Sequence, residues 1–142
     1  MVALNKAQAA RQVARLASVR PELAAAYGLA LGRWLADRAL AARGRPFVSE
    51  GYRSVAAQDE LYTHGRTAPG PVVTYKRGGE SRHNTVPARA LDVAFLLPDG
   101  TTSWSVALLG EYAGLMKAAD ARVHWGGDWP KFKDRPHFEV LG

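Results

Sequence analysis

The chain has 142 residues, 47% of them hydrophobic and 23% charged, the size and balance of one ordinary globular domain with room for a core. It contains no cysteine, so a disulfide framework and a thiolate metal site are both excluded, and any transition metal must be held by His, Asp or Glu. The net charge of +6 is concentrated at one end: residues 1–49 hold eight Lys and Arg against Glu22 and Asp37, whereas residues 50–142 hold eleven of each sign. Basic surface of this kind suits polyanions such as anionic lipid or acidic envelope polymers, or else only solubility. No apolar run approaches the ~18 residues of a membrane-spanning helix.

In chain order, residues 5–18 are Ala-rich and predict a helix with Ala9, Val13, Leu16 and Ala17 inward and Arg11 and Arg15 outward. The N-terminus lacks the apolar core of a secretory signal, and this segment is read as a folded first helix rather than a transit peptide. Pro21 opens a second helix with an apolar stripe of Leu23, Tyr27, Leu31, Trp34 and Leu35, stopping near Gly44. "RPFVSEGYRS" reads as a short strand turning at Gly51, and Ser54 caps a helix ending at Gly65. A Pro/Gly loop, a short strand at Val72 to Tyr75 and a Gly78-Gly79 turn follow.

"ARALDVAFLL", residues 88–97, is the next strand, and "PDG" turns the chain into a helix over residues 103–120. That helix is capped by Ser103 or Ser105 and faces Val106, Leu109, Tyr112 or Ala113, and Met116 inward. "HWGGDWPKFKD" reads as irregular, and "PHFEVLG" as a closing strand. Helices and short strands without a βαβ rhythm imply an α+β fold of one domain, 1–142, with a basic helical part at 1–45 and a core at 46–142.

Asp92 sits among apolar neighbours in its strand, where an unpaired carboxylate costs several kcal/mol. A metal would supply its counter-charge. Of the four histidines, His64 suits the end of a helix and His124 has nothing to mark it as a ligand. His83 lies in a loop nine residues before Asp92, and His137 opens the last strand behind Pro136. Two neutral imidazoles and one carboxylate leave a fourth position for water, the stoichiometry of catalytic zinc. Asp134, three residues before His137, is the candidate for carrying the proton to a leaving amine. From spacing alone Asp92 could instead be hydrogen-bonded on a partly exposed edge, and Asp134 could pair with Lys133 or Arg135.

The blocks "GYRS…Q…LYTHGRT", "VVTYKRGGESRHNTVPARALDV" and "HWGGDWPKFKDRPHFEV" resemble the zinc DD-/LD-peptidases of the VanY/VanX type. The branch they most resemble is that of phage endolysins acting as L-alanyl-D-glutamate endopeptidases. The resemblance implies a small antiparallel sheet carrying a zinc site flanked by helices, with His83, Asp92 and His137 as Zn²⁺ ligands and Asp134 as general base. It also implies that Arg53 steadies the substrate carbonyl as it becomes an oxyanion, and that Ser81, Gln58 and Trp125 lie at the substrate. The loop between the first two ligands is two residues longer than the common pattern and lacks its glycine.

The expected substrate is the peptidoglycan stem peptide, cut between L-Ala and D-Glu. The alternatives are a D-alanyl-D-alanine carboxypeptidase or dipeptidase and, more distantly, a non-catalytic wall-binding module. Contact of the basic helices with anionic envelope polymers or membrane, no nucleic-acid partner and a monomeric state complete the expectation. So does synthesis in a host cytoplasm without a signal peptide, followed by action on the wall after release.

Overall fold

Asn5 accepts the amide of Gln8 and Gln8 Oε1 accepts the amide of Asn5, both at 2.8 Å, a reciprocal cap that starts α1 (Lys6–Ala17). The computed structural model in which these contacts are seen describes residues 2–142. Pro21 opens α2 (Pro21–Ala36). The helix does not run to Gly44 as expected. Asp37 breaks it, accepting the amides of Ala39 and Leu40 to cap a separate α3 (Arg38–Arg43). Then follow β1 (Arg45–Glu50), α4 (Val55–Thr63) capped by Ser54, β2 (Ala90–Leu96), β3 (Thr102–Ser103), α5 (Val106–Ala119) capped by Ser105, β4 (Val123–Trp125) and β5 (His137–Val140).

The strands form one antiparallel sheet in the order β1-β2-β5-β4, with β3 pairing β2 off this path. The architecture is the α+β fold expected from the sequence. Period-2 alternation divides the sheet into two faces. Leu91, Val93, Phe95, Phe138 and Val140 face a core shared with Leu23, Tyr27 and Trp34 of α2 and Leu109, Tyr112 and Met116 of α5. Trp34 packs against Phe95 with ring centres 5.0 Å apart, and its indole N–H donates to the Gly44 carbonyl at 2.9 Å. Truncating a ring buried this deeply costs about 3–5 kcal/mol. Asp92, His137 and Glu139 occupy the opposite face, with Asp92 directly opposite His137 in register.

α1 runs beside β1. Its inward residue is Gln12, while Val13, expected to pack, is exposed. The reason is β1's outer rim. Gln12 Oε1 accepts the Val48 amide at 2.8 Å, Arg15 donates to the Val48 carbonyl at 3.2 Å, and Gln12 Nε2 donates to the Tyr27 hydroxyl. Tyr27 in turn donates to the Pro46 carbonyl at 3.1 Å. The helix thus completes the hydrogen bonding of a strand with no partner on that side.

Other expectations also change. Val72 to Tyr75 is not a strand: it meets no sheet edge, and Arg66 donates to the Thr74 carbonyl and Gln58 to the adjoining Lys76 carbonyl instead. Val106, expected to face inward, is exposed, and the buried face of α5 begins at Leu108 and Leu109. The segment expected to be irregular contains β4 and a 3₁₀ turn at Gly126–Asp128, because Val123 to Trp125 pair with β5.

Candidate metal centre

The 3₁₀ turn Arg82–Asn84 presents His83 over β2. Ser81 caps it, its hydroxyl oxygen accepting the His83 amide at 3.2 Å. His83 is buried, and its Nδ1–H donates to the Gly51 carbonyl at 2.7 Å, so Nε2 is left with its lone pair facing Asp92 Oδ1 at 3.2 Å. Gly51 must be glycine: a Cβ there would lie 2.5 Å from Ser18 Oγ and 2.7 Å from the Arg15 carbonyl. The turn between α1 and α2 therefore bears directly on the carbonyl that orients His83.

His137 mirrors this arrangement from the neighbouring strand. Its Nε2–H donates to Glu139 Oε1 at 2.7 Å, and Nδ1 faces Asp92 Oδ1 at 3.4 Å. Glu139 is buried, with its other oxygen paired to Arg82 Nε at 2.8 Å. In their neutral forms both imidazoles are thus held in the tautomer that turns a lone pair inward, and the ligand atoms of His83, Asp92 and His137 lie within 4.8 Å of one another. This donor set fits a divalent cation of the zinc type.

The electrostatics agree. Burial alone would raise the Asp92 carboxyl, but His83 and His137 outweigh it and hold the group far below the usual carboxylate range. Burial would push His137 down, yet its hydrogen bonds to Asp92 and Glu139 lift it to about 9. The cluster without metal is a charged knot that a cation can replace. Asp92 is stabilised on a partly exposed strand face by two imidazoles and, at 3.7 Å, by Arg53.

Asp134 stands at the rim, 3.9 Å from His137 Nδ1, with its carboxyl pushed up by burial and then by the Asp92 charge. Its amide donates to the Gly126 carbonyl at 3.0 Å, a contact so close that a Cβ on Gly126 would collide with the Asp134 backbone. Arg53 follows the irregularity between Val48 and Glu50 in β1. Its guanidinium donates to Gln58 Oε1 at 2.9 Å and Glu50 Oε2 at 3.4 Å, and its backbone amide donates to the His83 carbonyl at 2.8 Å. His83, Asp92, His137, Asp134, Arg53 and Ser81 therefore converge on one cleft of about 530 Å³.

Two residues expected at the substrate are placed elsewhere. Gln58 is fully buried behind Arg53, and its amide donates to the Lys76 carbonyl at 2.8 Å and to Thr74 Oγ1 at 3.3 Å. Its role is to brace Arg53 and the 74–76 wall. Trp125 packs behind the cleft, donating to the Arg135 carbonyl at 2.7 Å and so holding the loop that carries Asp134. Trp129 lines the cleft instead, its ring 5.2 Å from that of His137. Glu139, Arg82 and the Gly51 carbonyl were missed. Only Glu139 had a signal, standing two residues after His137 on the same strand face.

The M15 peptidase family, under the description D-alanyl-D-alanine carboxypeptidase, matches residues 75–140, which include His83, Asp92, Asp134 and His137. The chain is 43% identical over 101 residues to the peptidoglycan L-alanyl-D-glutamate endopeptidase CwlK of Bacillus subtilis (strain 168), across 66% of this chain and 59% of that protein. The chain thus spans 59% of the length of this curated relative. The crystal structure of the L-Ala D-Glu endopeptidase ChiX of Serratia marcescens matches with a TM-score of 0.68 at 32% identity, covering 93% of this chain and 87% of that one. With the family model over residues 75–140 and this likeness across 87% of a solved relative at 32% identity, the chain belongs to the M15 family of metal-dependent peptidases.

Proposed function

We propose that this chain is a zinc-dependent peptidoglycan hydrolase that cuts the stem peptide between L-Ala and D-Glu. The observation that carries the reading is the convergence of His83, Asp92 and His137, each imidazole locked by an outer partner, at the floor of a cleft rimmed by Asp134 and Arg53. Zinc held by these three side chains would supply a Lewis acid that acidifies water and polarises a carbonyl. Asp134, partly exposed and raised in pKa, accepts the proton of the attacking water and returns it to the leaving amine. Arg53 donates to the carbonyl oxygen as negative charge develops there, and Gln58 and Glu50 keep the guanidinium in place. The Ser81 hydroxyl accepts the His83 amide and keeps its own proton to donate to a substrate carbonyl. Two relatives named as L-alanyl-D-glutamate endopeptidases support the choice of bond.

The endolysin branch of the resemblance extends the reading to a lytic role on the cell wall, after release from the cytoplasm. The basic helices would then hold the enzyme to anionic envelope polymers through Arg11, Arg33 and Arg38, which are exposed.

Purified peptidoglycan digested with the zinc-loaded protein tests the activity. A new amino terminus on D-Glu is expected. Release of free D-alanine alone would instead identify a carboxypeptidase, the activity in the family's description, and binding without cleavage would leave a wall-binding module.

A further inference from the structure

A peptide bond between L-Ala and D-Glu brings an extra charge into this cleft. In the stem peptide, glutamate continues through its γ-carboxyl, so its α-carboxylate is free and sits on the same carbon as the nitrogen released by cleavage. Binding therefore brings a carboxylate into a cleft whose rim already carries Asp134, where a cationic side chain would stabilise it. Arg53, held by Glu50 and Gln58, is assigned to the carbonyl of the bond being cut, and Lys133 is held by the carbonyls of Gly127 and Trp129.

Lys76 is different. Its ammonium stands 6.0 Å from the centre of the Trp129 ring, which itself lies 5.2 Å from the His137 ring. Among the described residues it forms no ion pair; the acid that feels its charge, Glu139, is already bonded to Arg82 and His137. Its backbone is fixed on both sides, the amide donating to Thr74 Oγ1 at 3.1 Å and the carbonyl accepting from the buried Gln58 at 2.8 Å. Lys131 also lines the cleft, but among the described residues it has no hydrogen-bonded anchor and no ring beneath it.

We propose that Lys76 recognises the free α-carboxylate of the D-glutamate whose nitrogen is released, so that the enzyme selects stem peptides in which this carboxylate is not amidated. The proposal rests on the endopeptidase reading of the cleft.

The test compares kcat/KM of the zinc-loaded enzyme on two muropeptides that differ only in carrying D-glutamate or D-isoglutamine after L-Ala. The wild type is expected to prefer the free acid by about tenfold or more, as for a charge-assisted hydrogen bond. Lys76→Met should collapse that ratio to within about twofold of parity, mainly through KM, and Lys76→Arg should restore most of it. A purely structural role would depress both substrates together and leave the ratio intact. An unchanged ratio in Lys76→Met, a collapse in Lys131→Met instead, or no preference in the wild type would overturn the proposal. A wild type that cuts neither peptide yet frees D-alanine from a pentapeptide would overturn the endopeptidase reading itself, and the role of Lys76 with it.

Discussion

Glu139 and His137 stand two residues apart on one face of β5, and the carboxylate accepts the imidazole Nε2 proton at 2.7 Å in a buried setting. That bond selects the tautomer whose Nδ1 faces Asp92. Glu139→Ala should therefore weaken zinc binding by about 10–100-fold while the fold persists, because Arg82, the other partner, is partly exposed and can be solvated. Competition against a chelator of known affinity reads this directly; affinity within about twofold of wild type would show that Glu139 does not orient the ligand.

The same pair predicts a proton count. His137 is lifted to about 9 from 6.5, so without metal its cation stabilises the fold fully below about pH 6.5 and loses that contribution as pH rises through about 9. A metal needs the neutral ring. Between those limits, zinc binding should expel about one proton from this site, and affinity should climb with pH. Calorimetry near neutral pH in two buffers of different ionisation enthalpy measures the number, and a value near zero would contradict the assignment.

The Asp134 carboxylate lies 3.9 Å from His137 Nδ1, farther than the 3.2 and 3.4 Å that separate Asp92 from the two imidazoles. Asp134→Ala should leave about one zinc per chain and reduce turnover at least ~100-fold. Loss of the metal along with activity would make Asp134 a ligand rather than a base.

Gln58 tests the bracing of Arg53. Gln58→Leu strands the Lys76 carbonyl and one guanidinium N–H, at a cost of about 1–3 kcal/mol in stability. Its effect on kcat/KM should combine less than additively with that of Arg53→Ala, since both act through one side chain. Strict additivity would separate the two roles.

Arg11, Arg33 and Arg38 are exposed, whereas Arg15 is committed to the Val48 carbonyl. Replacing the three exposed arginines with Gln should lower binding to anionic wall material at low salt and leave cleavage of a soluble muropeptide unchanged. Retention on a wall pellet, measured across a salt series, checks it.

Much of this site was legible in the sequence because a strand imposes a strict alternation. Asp92 stood out among Leu91, Val93 and Phe95 as a charge requiring a partner, and His137 and Asp134 flanked a proline that fixes the approach to β5. The Gly51 carbonyl has no side-chain signature and could not be read. Val13 was expected to face inward and is exposed for a physical reason: periodicity assumes that a helix buries its apolar residues, while α1 turns Gln12 and Arg15 to hydrogen-bond β1. Val72 to Tyr75 has the composition of a strand but meets no free edge, and propensity without a partner does not make a ladder.

The contact of Ser18 with Gly51 and Tyr52 bears on how this enzyme could be shortened. A fragment beginning at Arg45 would keep His83, Asp92, His137, Asp134 and Arg53, yet it would lose Tyr27 and Trp34 and leave the outer side of β1 bare. Such a fragment would offer that bare edge to a strand from another molecule and assemble through it. The basic helices are not a detachable address label; for protein engineering, they share one core with the sheet that carries the cluster.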